Sequence, residues 1–435
     1  MSASLDSRPY ALDTADYLDG FARFIAASPS SYHAAAEVGR QLTAAGFAQL
    51  DEASAWEAPD KAFVIRDGAI IAWITPDTVS TTAPARVVGT HTDSPGFKLK
   101  PKPSIGSFGW LQVGVEIYGG PLLNSWLDRE LELAGRLVTT DGTSHLVRTG
   151  PMFRIPQLAI HLDREANNGL KLDKQRHTAP VYGVGDAASS DVVGDLAALA
   201  GIASSDVAGY DIITVDTQEA RRFGLGGQLF AAPRLDNLSS TYAGLHALLA
   251  TAAANEPAEH ITVLAAFDHE EIGSETRSGA CGPFLADILD RIYDGLGASR
   301  EERARALANS WCISSDTGHS VHPNYGERHD PNVVPLAGQG PLLKINANQR
   351  YATDAVGAAL WVRACKAAGV TYQDFVSNNG SPCGSTIGPL TATRLGIRTV
   401  DVGIPLISMH SAREMCHVDD QVAITQALTA FMAGA

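Results

Sequence analysis

The sequence has few cysteines, no long apolar run and no basic, apolar leader at its start. Its five cysteines are scattered, odd in number and without a CxxC pair, which is typical of reduced thiols in a cytoplasmic protein rather than of a disulfide framework. No stretch of about 18 or more residues is uninterruptedly apolar, so no membrane span is predicted. The start, MSASLDSRPYALD, lacks a basic residue followed by an apolar run, and no secretory signal is expected.

Positive charge is also scarce. The chain has 33 Lys and Arg against 48 Asp and Glu, which gives a formal net charge of −15. Such a surface repels nucleic acid and acidic membranes, so neither is an expected partner. It also repels acidic small molecules at a distance. Any preference for an acidic substrate must therefore come from cations inside the site.

Four segments share one design, an apolar run that ends in polar residues of the kinds that bind metals. They are ARVVGTHTD (85–93), ITVLAAFDHEE (261–271), SWCISSDTGH (310–319) and RTVDVGIPLISMH (398–410). Each run predicts a buried strand. Helical patterns over Pro29–Ala48, Asn237–Ala254 and Ala352–Ala368 lie outside these runs. The alternation predicts an α/β fold, a mostly parallel sheet with helices on both faces, and a site at the carboxyl ends of its strands.

Residues 98–230 differ from the rest of the chain. Their segments alternate between apolar and polar residues and carry many turn residues, which predicts antiparallel strands and hairpins. The stretch 183–211, rich in Gly, Ala, Ser and Asp, predicts loops around one short helix. At 435 residues the chain is also too long for a single core. We therefore expect a mainly β domain, 98–230, inserted into a domain formed by 1–97 and 231–435.

Each candidate site residue has an ordinary explanation when it is taken alone. His91 and Asp93 would face the same way on a strand, as an imidazole ligand and its orienting carboxylate do, or would simply form a polar loop. Asp236 stands where a helix N-cap is common. Glu270 and Glu271 follow a buried run, where paired carboxylates are costly without cations, but they would also serve as solvated loop acids.

The set is more specific than its members. Asp316 and His410 also follow strands, so that imidazoles and carboxylates collect at one edge, a mixture that suits Zn, Mn or Co. Two divalent cations would exceed the charge of Asp236, Glu271 and Asp316 by one unit, which a hydroxide would neutralise. Hydroxide is the nucleophile of two-metal hydrolysis. Glu270 is then left over as a general base.

With these residues, the sequence resembles the aspartyl aminopeptidase family of dinuclear metallopeptidases over nearly its whole length. The motifs are SPSSYHAAAE, GTHTDSPGFKLKP, LLNSWLDREL, RIPQLAIHLDR, PRLDNLSS, FDHEEIGS, SSDTGHSVHPNYGERH, LLKINANQRYAT, SPCGSTIGP and MHSAREM. The resemblance implies removal of N-terminal residues, preferably Asp or Glu, from peptides by two zinc ions per chain, with Mn or Co as alternatives. A neutral-residue aminopeptidase, an amide deacylase and a non-catalytic assembly or cargo protein remain as alternative functions.

The resemblance also implies the ligands of each ion. The matching positions are His91 and Asp316 for one zinc ion, Glu271 and His410 for the other, and Asp236 as the bridge. Asp93 would orient His91, and Glu270 would be the general base.

The family further implies an assembly. The inserted domain would form dimers, dimers would build a tetrahedral dodecamer, and His161 would reach into the partner's active site. The alternative for His161 is a strand residue that faces the insert's own core. His322 would contact another subunit or simply lie in a loop.

Acidic specificity would come from Lys344, His319 and Tyr351, with a surface lysine as the alternative for Lys344. Gln157 and Gly380 depart from the family pattern, which leaves the substrate preference open.

Overall fold

The computed structural model describes residues 10–57, 59–76, 79–254 and 256–435. Residues 1–9, most of the segment in which no secretory signal is predicted, lie outside these ranges. No helix of the described ranges is both long and apolar enough to cross a membrane. The helices of these ranges are α1 (Thr14–Ala27), α2 (Ser31–Ala44), α3 (Val192–Leu199), α4 (Leu235–Ala254), α5 (Phe284–Gly295), α6 (Arg300–Asn309), α7 (Ala355–Ala368), α8 (Ile387–Leu395) and α9 (Val418–Met432).

The strands of the described ranges form three sheets, of nine, six and five strands. In chain order they are β1 (Ala48–Gln49), β2 (Lys61–Arg66), β3 (Ala69–Ile74), β4 (Ala85–His91), β5 (Gly96–Ser107), β6 (Trp110–Tyr118), β7 (Leu131–Thr139), β8 (Ser144–Arg148), β9 (Val181–Val184), β10 (Val207–Asp216), β11 (Arg221–Phe223), β12 (Leu229–Ala232), β13 (Ile261–Phe267), β14 (Trp311–Ser315), β15 (Gly318–His319), β16 (Leu342–Lys344), β17 (Gln373–Phe375), β18 (Arg398–Gly403), β19 (Pro405–Ile407) and β20 (Glu414–His417).

The nine-stranded sheet has the order β1-β2-β3-β13-β4-β14-β18-β16-β17. Its central strands β13, β4, β14 and β18 are parallel to one another. The strands that flank them, β3 and β16, run antiparallel to them. The predicted α/β class is confirmed, and the sheet is mixed.

Helices cover both faces of this sheet. Val88, Leu264 and Ile313 share one apolar cluster with α1, α2, α4, α7 and α9. Val87 and Val263 share another with α5, α6 and α8. Because successive residues of a strand point to opposite faces, a strand buried on both faces has a continuous apolar sequence. This burial explains the uninterrupted runs of the central strands.

The predicted helices are present with shifted ends. Helix α4 begins two residues earlier than expected, whereas α2 and α7 begin later. The later starts follow from N-caps, because the side chain of Ser30 accepts from the main-chain N–H of His33 and that of Asp354 accepts from Gly357.

The six-stranded sheet is antiparallel, with the order β8-β7-β10-β5-β6-β9. Its own apolar cluster includes Phe97, Leu133 and Ile212, and α3 packs against it through Leu196. Loops around one short helix were expected over 183–211; helix α3 is there, but β9 and β10 extend into the two ends of that stretch. The sheet lies within the predicted insert except at the start of β5, which begins at Gly96, two residues before the predicted boundary. The boundaries of the insert stay a prediction.

The five-stranded sheet, β11-β12-β20-β19-β15, corrects another prediction. Residues 398–410 were expected to form one strand, but β18 ends at Gly403 and β19 begins at Pro405 in this other sheet. A Cβ on Gly403 would lie 1.6 Å from the main-chain oxygen of Asp316, so the two segments approach very closely there. Pro405 has no N–H with which to continue a central ladder.

Gly403→Ala should destabilise the protein, because a backbone rather than a flexible side chain must move to admit the methyl group. Overpacking typically costs about 1–3 kcal/mol, and we expect urea unfolding to show a loss of at least about 2 kcal/mol. Gly209→Ala is the control, since a Cβ on that strand residue meets nothing within 4 Å. Equal stability of the two variants would contradict the close approach at Gly403.

Candidate metal centre

The candidate ligands converge at one edge of the nine-stranded sheet. His91 ends β4, Asp316 follows β14, and Glu271 follows β13 in a short 3₁₀ turn. These three strands are parallel, so their carboxyl ends meet at the same edge. Asp236 lies in the first turn of α4, and His410 lies in the loop between β19 and β20.

The ligand atoms form two groups that share Asp236. Its Oδ1 lies 3.3 Å from His91 Nε2, which is also 3.4 Å from Asp316 Oδ1. Its Oδ2 lies 3.5 Å from His410 Nε2, which is also 3.2 Å from Glu271 Oε2. The carboxylate of Asp236 thus faces two imidazoles rather than capping the helix.

Several buried atoms of this cluster have no hydrogen-bond partner among the described residues. They are His91 Nε2, Asp236 Oδ1 and Glu271 Oε1. Buried polar atoms are nearly always satisfied, so three in one cluster call for an explanation. Imidazole nitrogen and carboxylate oxygen are both zinc ligands, and the sets His91–Asp236–Asp316 and Asp236–Glu271–His410 each bring their ligand atoms within 4.8 Å. The residues therefore fit divalent cations.

The pKa values of Glu270, Glu271 and His410 are all raised, whereas burial would raise the pKa of Asp236 but His410 and His91 lower it. Burial, together with the charge of Asp316, raises the pKa of Glu270 to about 8 against the opposing effect of His91. Burial and Asp236 raise the pKa of Glu271 well above its ordinary value. Burial alone would lower the pKa of His410, but Asp236 raises it to about 9. Each of the three upward shifts favours added positive charge, which protons or cations would supply.

Asp93 contacts two parts of the site, the imidazole of His91 and the turn that carries Glu270 and Glu271. Its main-chain oxygen lies 3.1 Å and its Oδ1 3.4 Å from His91 Nδ1. Its carboxylate also accepts from the main-chain N–H groups of Glu270 (3.0 Å) and Glu271 (3.1 Å) and from the hydroxyl of Tyr118 (2.8 Å). Asp93 therefore holds the turn that carries both glutamates as well as the imidazole.

Sequence reasoning missed two residues of this network, Tyr118 and Glu414. Glu414 is buried, and its carboxylate accepts from the main-chain N–H groups of Asp236 (2.9 Å) and His410 (2.7 Å). The motif MHSAREM contains Glu414, but only His410 was taken from it. Tyr118 is the last residue of β6 in the six-stranded sheet. It belongs to none of the sequence motifs that carry the candidate site residues, so nothing in the sequence indicated its role.

One candidate substrate-binding residue, Lys344, lies beside a candidate metal ligand. Lys344 is buried; its Nζ donates to the main-chain oxygen of Thr317 (2.6 Å) and lies 3.7 Å from Asp316 Oδ2. It also lies 5.3 Å from the centre of the Tyr351 ring. His319 is exposed. Lys344 is thus no surface lysine.

The remaining candidate residues do not belong to the cluster of candidate metal ligands. His161 is exposed in a turn and belongs to none of the candidate metal groups found among the described residues. Gln157 and Gly380 are exposed, and His322 is half-buried, with its ring 4.9 Å from that of Tyr325.

Comparison with known proteins agrees with this geometry. The profile of the family described as "Aminopeptidase I zinc metalloprotease (M18)" matches residues 24–432. A probable M18 family aminopeptidase 2 from Streptomyces avermitilis is 51% identical over 422 residues, which cover 96% of this chain and 98% of that protein. A protein of the same name from Mycobacterium tuberculosis is 44% identical over 422 residues, covering 95% and 97%.

Solved structures show the same fold. Ape4, in a cryo-EM structure of its complex with Nbr1, superimposes with a TM-score of 0.92 at 35% identity, covering 96% of this chain and 86% of that one. The mApe1 dodecamer from S. cerevisiae has a TM-score of 0.84 at 29% identity, covering 96% and 97%. From the family match and these relatives, the chain belongs to the M18 family of zinc aminopeptidases.

Proposed function

We propose that this aminopeptidase uses two metal ions and prefers peptides that begin with Asp or Glu. The observation that carries the two-metal proposal is the carboxylate of Asp236, whose two oxygens face two different imidazoles. In the proposed arrangement His91 and Asp316 would hold one ion, Glu271 and His410 would hold the other, and Asp236 would be a ligand shared by both. Zinc ions bound there would supply Lewis acidity toward the scissile carbonyl and lower the pKa of the attacking water.

Glu270 is the proposed general base. It takes a proton from the attacking water on its carboxylate and later gives it to the leaving amine. Its side chain is 17% exposed, against 3% for that of Glu271, so Glu270 is the glutamate more accessible to water and substrate. Its Oε2 lies 3.9 Å from His91 Nε2, near the proposed ligands.

Glu270→Gln should retain the metal ions and lose most turnover, because an amide cannot accept the proton. Loss of a general base typically lowers kcat by about 10²–10⁴-fold. The measurements are zinc per chain by elemental analysis and kcat on an aspartyl anilide. Glu275→Gln, which neutralises an exposed glutamate five residues further along, is the control. Near-wild-type turnover of Glu270→Gln would remove Glu270 from this role.

Lys344 is the proposed recognition element for an acidic side chain. Since the protein carries a net charge of −15, an acidic substrate needs a local cation. An ammonium group has three donors, and Lys344 uses one of them on the main-chain oxygen of Thr317. Asp316 Oδ2 lies 3.7 Å from the same nitrogen, and a substrate carboxylate would accept from a remaining donor. Tyr351 and His319 complete the proposed pocket; their rings lie 6.2 Å and 6.5 Å from that of Phe375.

Lys344→Met should lower kcat/KM far more for aspartyl than for leucyl anilide, because it removes the charge and keeps the apolar stem. Removing one partner of a buried charge pair costs about 2–5 kcal/mol, so we expect the ratio of the two kcat/KM values to fall at least about 30-fold. Lys366→Met, in the last turn of α7, is the matched control. Equal losses on both substrates would leave Lys344 as a counter-charge for Asp316 and would favour a neutral-residue aminopeptidase.

We propose that residues 98–230 form an inserted dimerisation domain between the two parts of the catalytic domain, 1–97 and 231–435. Of 22 exposed large apolar side chains among the described residues, fourteen lie in 98–230. Exposed apolar surface of this kind is typical of an interface. A dodecamer is described for the relative mApe1, and we extend it to this chain as a tetrahedral assembly of dimers.

The same dimer would deliver His161 to the partner's active site. What supports this proposal is that His161 is exposed in the insert and belongs to none of the candidate metal groups found among the described residues of its own chain. There it would stabilise the negative charge that develops on the carbonyl oxygen.

Mixing two inactive variants tests the delivery of His161 between subunits. His161→Ala keeps the metal site and lacks the donated imidazole, whereas Glu270→Gln keeps the imidazole and lacks the base. A mixed dimer has one complete site, and random mixing makes about half of the dimers mixed, so activity should return to about a quarter of wild type. Mixed oligomers, verified by two affinity tags, that stay as inactive as their parents would place the action of His161 within its own chain.

We also propose a cytoplasmic location. All five cysteines are unpaired in the structure, and three of them are buried. Unpaired thiols in a chain of this size are typical of a reducing compartment.

A further inference from the structure

We infer that Glu414 is a positioning residue for the metal centre, which rests on the two-metal function proposed above. Glu414 touches none of the reacting groups. Its carboxylate joins two chain segments that each carry a proposed ligand, because Oε2 accepts from the N–H of Asp236 and Oε1 from the N–H of His410.

The two ligand segments come from different parts of the fold. Asp236 lies in the first turn of α4, four residues beyond the end of β12, and His410 lies in the loop between β19 and β20. Glu414 begins β20, which pairs with β12 through Ala232 and with β19. One buried carboxylate at this junction therefore sets the distance between the main chains of two ligands.

Neither segment has a regular conformation that would fix the ligand without help. His410 has a φ of 64°, the left-handed region that a non-glycine residue adopts only when its surroundings hold it there. Asp236 has a φ of −81° and a ψ of 104°, outside the helical region although it lies in α4. Metal sites tolerate errors of only about 0.2 Å in ligand distance, so the bonds to Glu414 should matter for affinity.

Asp93 does the equivalent work on the other side of the cluster. It accepts from the N–H groups of Glu270 and Glu271, next to the imidazole of His91. Two buried carboxylates therefore hold the irregular segments that carry proposed ligands. Asp93 holds the turn of Glu270 and Glu271, and Glu414 holds the segments of Asp236 and His410.

The chain offers a matched control in Asp420. This carboxylate is also buried and also accepts from two main-chain N–H groups, those of Gly338 (2.7 Å) and Gly340 (2.8 Å). Neither glycine is a proposed ligand. Asp420→Asn therefore reproduces the loss of stability that follows from replacing a bridging carboxylate, without affecting the metal centre.

The experiment compares zinc binding in the wild type, Glu414→Gln and Asp420→Asn. Each full-length protein is stripped of metal and equilibrated with zinc at concentrations set by a chelator buffer, and zinc per chain is measured by elemental analysis. Loss of a group that positions ligands typically weakens metal binding about 10–100-fold. We expect this loss for at least one ion in Glu414→Gln and wild-type affinity in Asp420→Asn, at comparable loss of stability to urea.

Glu414→Asp is the second variant, in case the amide prevents folding. It keeps the charge but is one methylene shorter, so it cannot reach both N–H groups in their present positions, and it should also bind zinc more weakly. Wild-type affinity for two ions in either folded Glu414 variant would overturn the inference. Fewer than two ions in the wild type itself would instead overturn the two-metal function, so the two failures are distinguishable.

Discussion

The structure depends on how negative charge is held at the carboxyl edge of the nine-stranded sheet. Asp236, Glu271 and Asp316 are nearly or fully withdrawn from water there and face two imidazoles. A buried ion costs several kcal/mol unless it is paired, and repulsion among carboxylates adds to that cost. Burial and the neighbouring carboxylates raise the pKa values of Glu270 and Glu271, which shows the same lack of positive charge in the site. Bound divalent cations would relieve it, which agrees with the chain's membership of a zinc aminopeptidase family.

Hydrogen bonds of the carboxylates in and around this site connect the three sheets. Asp93 follows a strand of the nine-stranded sheet, yet it accepts from Tyr118 of the six-stranded sheet. Glu414 lies in the five-stranded sheet and accepts from Asp236 at the start of α4. Main-chain N–H groups and a hydroxyl stabilise these carboxylates without neutralising them, so no extra positive charge competes with the cations. A buried site of this kind is therefore built by hydrogen bonds between sheets as well as by its ligands.

The sequence predicts those features of the fold that depend on a local pattern of apolar and polar residues. Strands such as β4 and β13 are buried on both faces, so continuous apolar runs marked them and the residues that follow them. The mixed edges of the sheet were missed, although Asp67–Gly68 between β2 and β3 is a typical hairpin turn. Glu414 was missed for a deeper reason. It accepts from the main chain of Asp236, 178 residues away, as well as from that of nearby His410, and a main-chain partner is not identifiable from the sequence.

The buried position of Lys344 connects the proposed preference for acidic residues with the candidate metal centre. Strand β16 runs antiparallel to β18, and Leu342 pairs with Gly403 at the end of β18, so Lys344 lies two residues back from the carboxyl edge. From there its ammonium group approaches Asp316 from the side of the sheet rather than from solvent. The proposed pocket would then offer one ammonium group to the side chain of a substrate's N-terminal residue. An acidic side chain would complement this charge, which a neutral side chain would not.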